Sequence, residues 1–72
     1  MSAFSARLRE LRASKGVTQK QAAKGMELSE RLYQSYELGE KEPGLGSINK
    51  LADYFEVSTD YLLGRTDNPK QP

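Results

Sequence analysis

Residues 16–38 read Gly16-Val17-Thr18-Gln19-Lys20-Gln21-Ala22-Ala23-Lys24-Gly25-Met26-Glu27-Leu28-Ser29-Glu30-Arg31-Leu32-Tyr33-Gln34-Ser35-Tyr36-Glu37-Leu38. Thr18 followed three residues later by Gln21 is a capping box, in which each side chain satisfies a backbone amide that the first turn of a helix leaves unpaired. Val17 before the cap and Ala22 after it form a hydrophobic staple. The pattern recurs at Ser29, with Leu28 before it and Tyr33 after it. Two short helices are predicted, over 18–26 and 29–38, with Gly39 ending the second. With almost nothing between them they must cross at a steep angle, the helix-turn-helix arrangement.

Outward from this pair, the same spacing continues. Phe4, Leu8 and Leu11 fall at i, i+4 and i+7, one apolar stripe of a first helix. Gly16 suits a left-handed stop there, and Lys15 sits near the negative end of the helix dipole. A polar turn over 39–44 carries Pro43 and Gly44. Ile48, Leu51, Ala52 and Phe55 mark a fourth helix. Ser58, stapled by Val57 and Leu62, opens a fifth, which Gly64 closes. The expected class is all-α: a compact bundle of about five short helices with a helix-turn-helix. Residues 1–65 are expected to form one domain and the polar 66–72, with two prolines, a flexible C-terminal tail.

Composition narrows the chemistry. The 72 residues include no cysteine and no histidine. Thiolate metal sites, disulfides and the commonest general base are therefore ruled out. The carboxylates are scattered over exposed helix positions, so no catalytic constellation forms, and neither an enzyme nor a metal or cofactor is expected. No apolar run approaches the roughly 18 residues of a membrane span. The start, Met1-Ser2-Ala3-Phe4, lacks the pattern of a signal peptide, so a cytoplasmic location is expected. Net charge is +1, yet residues 1–36 hold seven basic and three acidic residues while 37–72 hold four and seven. The positive end lies in the first half, to be read either as a surface for nucleic acid or as a set of solvated helix faces.

Several segments carry a resemblance when taken in order: Arg7-Leu8-Arg9-Glu10-Leu11-Arg12, Gly16-Val17-Thr18-Gln19, Ser29, Tyr36-Glu37-Leu38-Gly39, Pro43, and Leu51-Ala52-Asp53-Tyr54-Phe55-Glu56-Val57-Ser58-Thr59-Asp60-Tyr61-Leu62-Leu63-Gly64. Over residues 4–66 the chain resembles the lambda-repressor/Cro-like, XRE-type helix-turn-helix regulators of bacteria and phages. The resemblance implies a transcriptional regulator, most often a repressor, that binds double-stranded DNA in the major groove as a homodimer on a palindromic operator. No small-molecule effector is evident.

By the same resemblance, Gln19 contacts a phosphate and buttresses the recognition helix, and Glu30, Arg31, Gln34 and Ser35 face bases or adjacent phosphates. Lys41 touches backbone from the following loop, and Arg12 and Lys15 reach phosphates. Arg31 is the strongest candidate reader, because a guanidinium grips guanine O6 and N7 together. Gln34 is either an adenine reader or plain surface. Glu30 either accepts from cytosine N4 or complements the helix dipole. Tyr33 is read as core, with its hydroxyl at the rim. Tyr54, Tyr61, Leu62 and Leu63 are the candidates for a dimer surface.

Three departures from the family pattern stand out. Glu27 occupies a turn position where glycine is usual, so either it adopts positive φ at about 1 kcal/mol of strain or the turn is rearranged. Gly25 inside the second helix costs about 1 kcal/mol relative to alanine. Glu40 and Glu42 flank Lys41 where basic residues are common. These acidic features support a second reading, an antitoxin-like or adaptor module that binds a protein and only weakly DNA.

Overall fold

The computed structural model of the chain describes residues 3–71. Helix α1 spans Ala3–Lys15, α2 Gln19–Gly25, α3 Glu30–Leu38, α4 Leu45–Phe55 and α5 Thr59–Leu62. Among the described residues there is no strand, as the periodicity predicted. No helix is long and apolar enough to cross a membrane. Met1, Ser2 and Pro72, the outer ends of the expected domain and tail, lie outside the described residues.

α1 packs against α3, α4 and α5, while α2 leans on α3 and α4 on α5. The core is drawn from every helix: Phe4 and Leu8 of α1, Ala22 and Ala23 of α2, Tyr33 and Tyr36 of α3, Ile48, Leu51, Ala52 and Phe55 of α4, and Leu62 of α5. The stripes read from the sequence in α1 and α4 are the ones that are buried, except that Leu11 is only partly covered. The small Ala22 and Ala23 are fully enclosed, with no long side chains to hold the neighbouring elements away. Phe4 meets Tyr36 edge to face at 6.1 Å, and the buried Ser5 donates to the Tyr36 carbonyl at 3.0 Å, tying α1 to the middle of α3.

One turn is used three times. The α1–α2, α2–α3 and α4–α5 connections each run through a left-handed residue, an apolar residue and a hydroxyl cap: Gly16-Val17-Thr18, Glu27-Leu28-Ser29 and Glu56-Val57-Ser58. In each, the apolar residue's amide reaches back into the helix just ended: Val17 to Arg12 O at 3.4 Å, Leu28 to Ala23 O at 2.9 Å and Val57 to Ala52 O at 3.0 Å. The left-handed residue reverses the backbone, and the back-bond satisfies a carbonyl that the helix end leaves open. The hydroxyl then accepts from the third amide beyond it, and at Thr18 the Gln21 side chain completes the capping box. α3 and α5 end on left-handed Gly39 and Gly64.

Glu27 has φ 58, so the strained alternative is the one adopted, with α2 ending at Gly25. Glu56, at φ 57, is a second such residue that the sequence reading did not anticipate. Gly25 has a purpose beyond its propensity cost. A methyl group there would lie 2.4 Å from Tyr54 Cε1, so the missing side chain is what admits the ring. Tyr54 is also packed edge to face on Phe55, at 5.0 Å.

The segment after Gly64 has specific partners. Arg7 Nη1 donates to the carbonyls of Tyr61 and Thr66, and Nη2 to Asp67 Oδ1 at 2.7 Å, with the guanidinium 4.1 Å from the Tyr61 ring centroid. The Ser58 amide donates to Pro69 O at 2.9 Å, and Gln71 Nε2 to Val57 O at 3.1 Å.

Two glycine exchanges should act in opposite directions. Glu27→Gly relieves a left-handed side chain and is expected to add about 1 kcal/mol, raising Tm by about 4–8 °C for a domain of this size. Gly25→Ala is expected to cost about 1 kcal/mol despite the helix propensity of alanine, because the Tyr54 ring must move. Thermal unfolding of both variants checks this; a stabilised Gly25→Ala would show that the ring yields freely.

Candidate nucleic-acid interface

Helix α3 divides by its periodicity into two faces. Tyr33, Tyr36 and Glu37, at i, i+3 and i+4, are buried. Glu30, Arg31 and Leu38 are exposed, and Gln34 and Ser35 are half-buried at the margin. Arg31 and Ser35 line a shallow open depression with Ser29, Leu32 and Lys41, so three of the residues singled out in the sequence share one patch although Lys41 belongs to the following loop. Ser35 Oγ is occupied, donating to Leu32 O at 2.6 Å.

Beneath this face lies a polar network centred on Glu37, which is 2% exposed. Arg12 Nε donates to Glu37 Oε2 at 2.6 Å and Nη2 to Oε1 at 3.2 Å, a two-pronged ion pair from α1 to α3. The Tyr33 hydroxyl donates to Oε2 at 2.5 Å, and Gln19 Nε2 to Oε1 at 3.1 Å. Arg9 Nη1 donates to the Glu37 carbonyl, and Arg12 Nη1 to Val17 O at 3.2 Å. Every oxygen of the buried carboxylate thus faces donors, the condition under which a charge is tolerated in an interior.

Burial pushes the Glu37 carboxyl up, but the hydrogen bonds from Arg12, Tyr33 and Gln19 and the Arg12 charge outweigh it, and the net direction is down. The Glu37 hydrogen bond raises Arg12, against a smaller loss from burial. Burial, then the bond to Glu37, raises the Tyr33 hydroxyl far above the ordinary tyrosine range.

The network extends outward to the helix surface. Gln34 Nε2 donates to Gln19 Oε1 at 3.2 Å and to Glu30 Oε2 at 3.3 Å. Gln19, Glu30 and Gln34 are therefore brought together, and Gln19 touches both the surface and the buried ends of α3. Two of the other candidates sit elsewhere. Arg12 is turned inward, with Nε, Nη1 and Nη2 all occupied within the protein. Lys15 is exposed but lies over the Tyr54 ring, 4.9 Å from its centroid, on the side of α4.

The Tyr33 hydroxyl, expected at the rim, is wholly buried on Glu37. The sequence reading missed Glu37 as a hub. The signal was present: a glutamate on the apolar stripe of α3 must find a cation, and Arg12 is the residue that supplies it.

Glu37 should dominate acid stability. Because its folded pKa is depressed, its contribution is complete above the ordinary glutamate value near pH ~4.3. It is lost as pH falls through the lower folded value. Tyr33 acts at the other extreme, its contribution being lost as pH rises above the ordinary tyrosine value of about 10. Glu37→Gln is expected to cost about 2–3 kcal/mol at neutral pH and to flatten the acid dependence. Urea unfolding at several pH values checks both; an acid limb of unchanged steepness in the variant would place its origin elsewhere.

The helix-turn-helix family pattern matches residues 8–62. The chain is similar to the SPbeta prophage-derived HTH-type transcriptional regulator YonR of Bacillus subtilis (strain 168), at 40% identity over 63 residues, covering 88% of this chain and 58% of that protein. It is similar to the HTH-type transcriptional regulator ImmR of the same organism, at 37% over 65 residues, 90% of this chain and 51% of that one. The cryptic phage CTXphi transcriptional repressor RstR of Vibrio cholerae is 33% identical over 64 residues, 89% of this chain and 58% of that one. The chain thus spans between half and three fifths of the length of these relatives. The matched region begins inside α1 and ends at Leu62, taking in the helix pair, the Glu37 network and the core other than Phe4, and by this match the chain belongs to the XRE-type helix-turn-helix family.

Proposed function

We propose that this chain is the DNA-binding part of a sequence-specific transcriptional repressor that lays α3 in the major groove of double-stranded DNA. The observation that carries this reading is the patch in which Arg31, Ser35 and Lys41 surround one depression beside the Gln19–Gln34–Glu30 cluster. The names of the relatives, transcriptional regulators and in one case a phage repressor, agree with it. In this reading Arg31 grips guanine, Gln34 and Glu30 meet neighbouring base edges, and Ser35 packs close to the strand. Gln19 and Lys41 contact phosphates, Lys15 lies apart beside the Tyr54 ring, and Arg12 supports the helix from behind. Residues 1–65 form the binding unit and 66–72 a C-terminal tail, in which Thr66, Asp67, Pro69 and Gln71 are hydrogen-bonded to the domain. The protein acts in the cytoplasm of a bacterium, encoded by its chromosome or by a phage.

The repressor is further proposed to bind as a homodimer on a palindromic operator, with recognition helices about 34 Å apart. Of the residues expected to pair, Tyr54 and Tyr61 are half-buried and Leu62 is fully buried, leaving Leu63 open at 49% exposure. Leu63 borders an apolar depression with Phe4, Pro43, Leu45 and Ile48, and Leu45 is 85% exposed. An apolar surface of this kind supports pairing there.

Selection of sites from random duplex DNA at two salt concentrations tests the reading. An enriched two-fold site, with affinity falling steeply in salt, supports it; no enrichment and weak binding at both salts would favour a protein partner instead. Arg31→Ala is expected to weaken the selected site by about 1–3 kcal/mol and relax one base position, whereas Lys41→Ala should weaken all sequences alike and lower the salt slope by about one. Leu45→Asp should yield a monomer in sedimentation; an unchanged dimer would move the interface.

A further inference from the structure

Glutamine is ambiguous as a reader, since its amide carries both a donor and an acceptor and can turn either toward DNA. In this protein the ambiguity is removed. Glu37 is buried and accepts from Arg12, Tyr33 and Gln19. An ionised carboxylate has no hydrogen to give, so the Gln19 amide must present its nitrogen to it. That leaves Gln19 Oε1 pointing at Gln34, 3.2 Å from Nε2. The Glu30 carboxylate, 3.3 Å from the same nitrogen, is a second acceptor. Both hydrogens of the Gln34 amide are thereby used inside the protein. Its Oε1 has no hydrogen-bond donor among the described residues.

We propose that Glu37, acting through Gln19 and seconded by Glu30, fixes the polarity of Gln34, so that Gln34 meets DNA as an acceptor only. It then takes one hydrogen bond from the exocyclic amino group of adenine or cytosine and forgoes the second bond, to purine N7, that a free glutamine makes with adenine. This deepens the proposed DNA-binding reading and rests on it. Gln34 is then a specificity residue, and Gln19 and Glu37 are positioning residues.

Modified DNA tests the polarity directly. A site is first selected with the unmodified protein, and the base pair whose preference disappears in Gln34→Ala is located. Two duplexes are then made at that pair, one with its purine replaced by the 7-deaza analogue and one lacking the exocyclic amino group. The unmodified protein is expected to bind the 7-deaza duplex within twofold of the parent and to lose about fivefold on removal of the amino group.

In Gln19→Ala and in Glu30→Ala one amide hydrogen of Gln34 is released, and the 7-deaza duplex should become about fivefold weaker than the parent. Because each protein is compared with itself on two duplexes, a general loss of affinity or stability leaves this ratio unmoved.

Equal losses on both duplexes with the unmodified protein would overturn the proposal, showing a two-point adenine contact. A ratio that stays at one in both variants would overturn the tether, and a Gln34→Ala protein with unchanged preference everywhere would remove Gln34 as a reader. Failure to select any site with the unmodified protein would remove the DNA-binding reading itself, an outcome distinct from these three.

Discussion

A carboxylate sealed inside a domain of 72 residues must be met by donors from several directions at once. Glu37 is met by Arg12 from α1, Gln19 from α2 and Tyr33 from one turn earlier on α3. Three helices are thereby fixed relative to one another by directional bonds rather than by apolar contact alone. Apolar packing tolerates sliding and repacking, whereas a charge left without its partners costs several kcal/mol. The angle between α2 and α3, on which any use of the pair depends, is held by this requirement together with the turn at Glu27-Leu28-Ser29.

The same requirement accounts for the composition of the surface above it. The polar residues on the outer side of α3 divide into those connected to the hub and those independent of it. Gln34 and Glu30 are connected through Gln19, while Arg31 and Lys41 border a separate depression. This surface is therefore in part tied to the hub and in part independent of it, with Lys41 joining the independent part from the loop after α3.

Most of the fold was legible in the sequence because it is built from local devices. The caps at Thr18, Ser29 and Ser58 and the stops at Gly16, Gly39 and Gly64 are each visible within four or five residues, and the structure uses all of them. Glu56 escaped notice because nothing about a glutamate announces positive φ. Set beside Glu27-Leu28-Ser29, however, Glu56-Val57-Ser58 shows the same order of charged, apolar and hydroxyl residues, and the repetition was the available signal. Gly25 was legible only as a cost, since its benefit depends on Tyr54, 29 positions away. The arrangement around α3 was legible in part: the resemblance named Gln19, Glu30 and Gln34, which the structure brings together, but the inward turn of Arg12 and the burial of the Tyr33 hydroxyl depend on a partner 25 residues distant and on depth, neither of which spacing reports.

The division of the outer face bears on how such a protein diverges. Arg31 and Lys41 lie outside the hydrogen bonds of the Glu37 hub, so either can be exchanged without disturbing what lies beneath; on the proposed reading a change at 31 alters the base preferred and a change at 41 only the strength of binding. Gln34 cannot change so freely, because any replacement alters what Gln19 and Glu30 are bonded to, and Gln19 in turn serves the hub. Descendants of this chain should accordingly vary in two blocks, one position at a time at 31 and 41 and in concert at 19, 30 and 34.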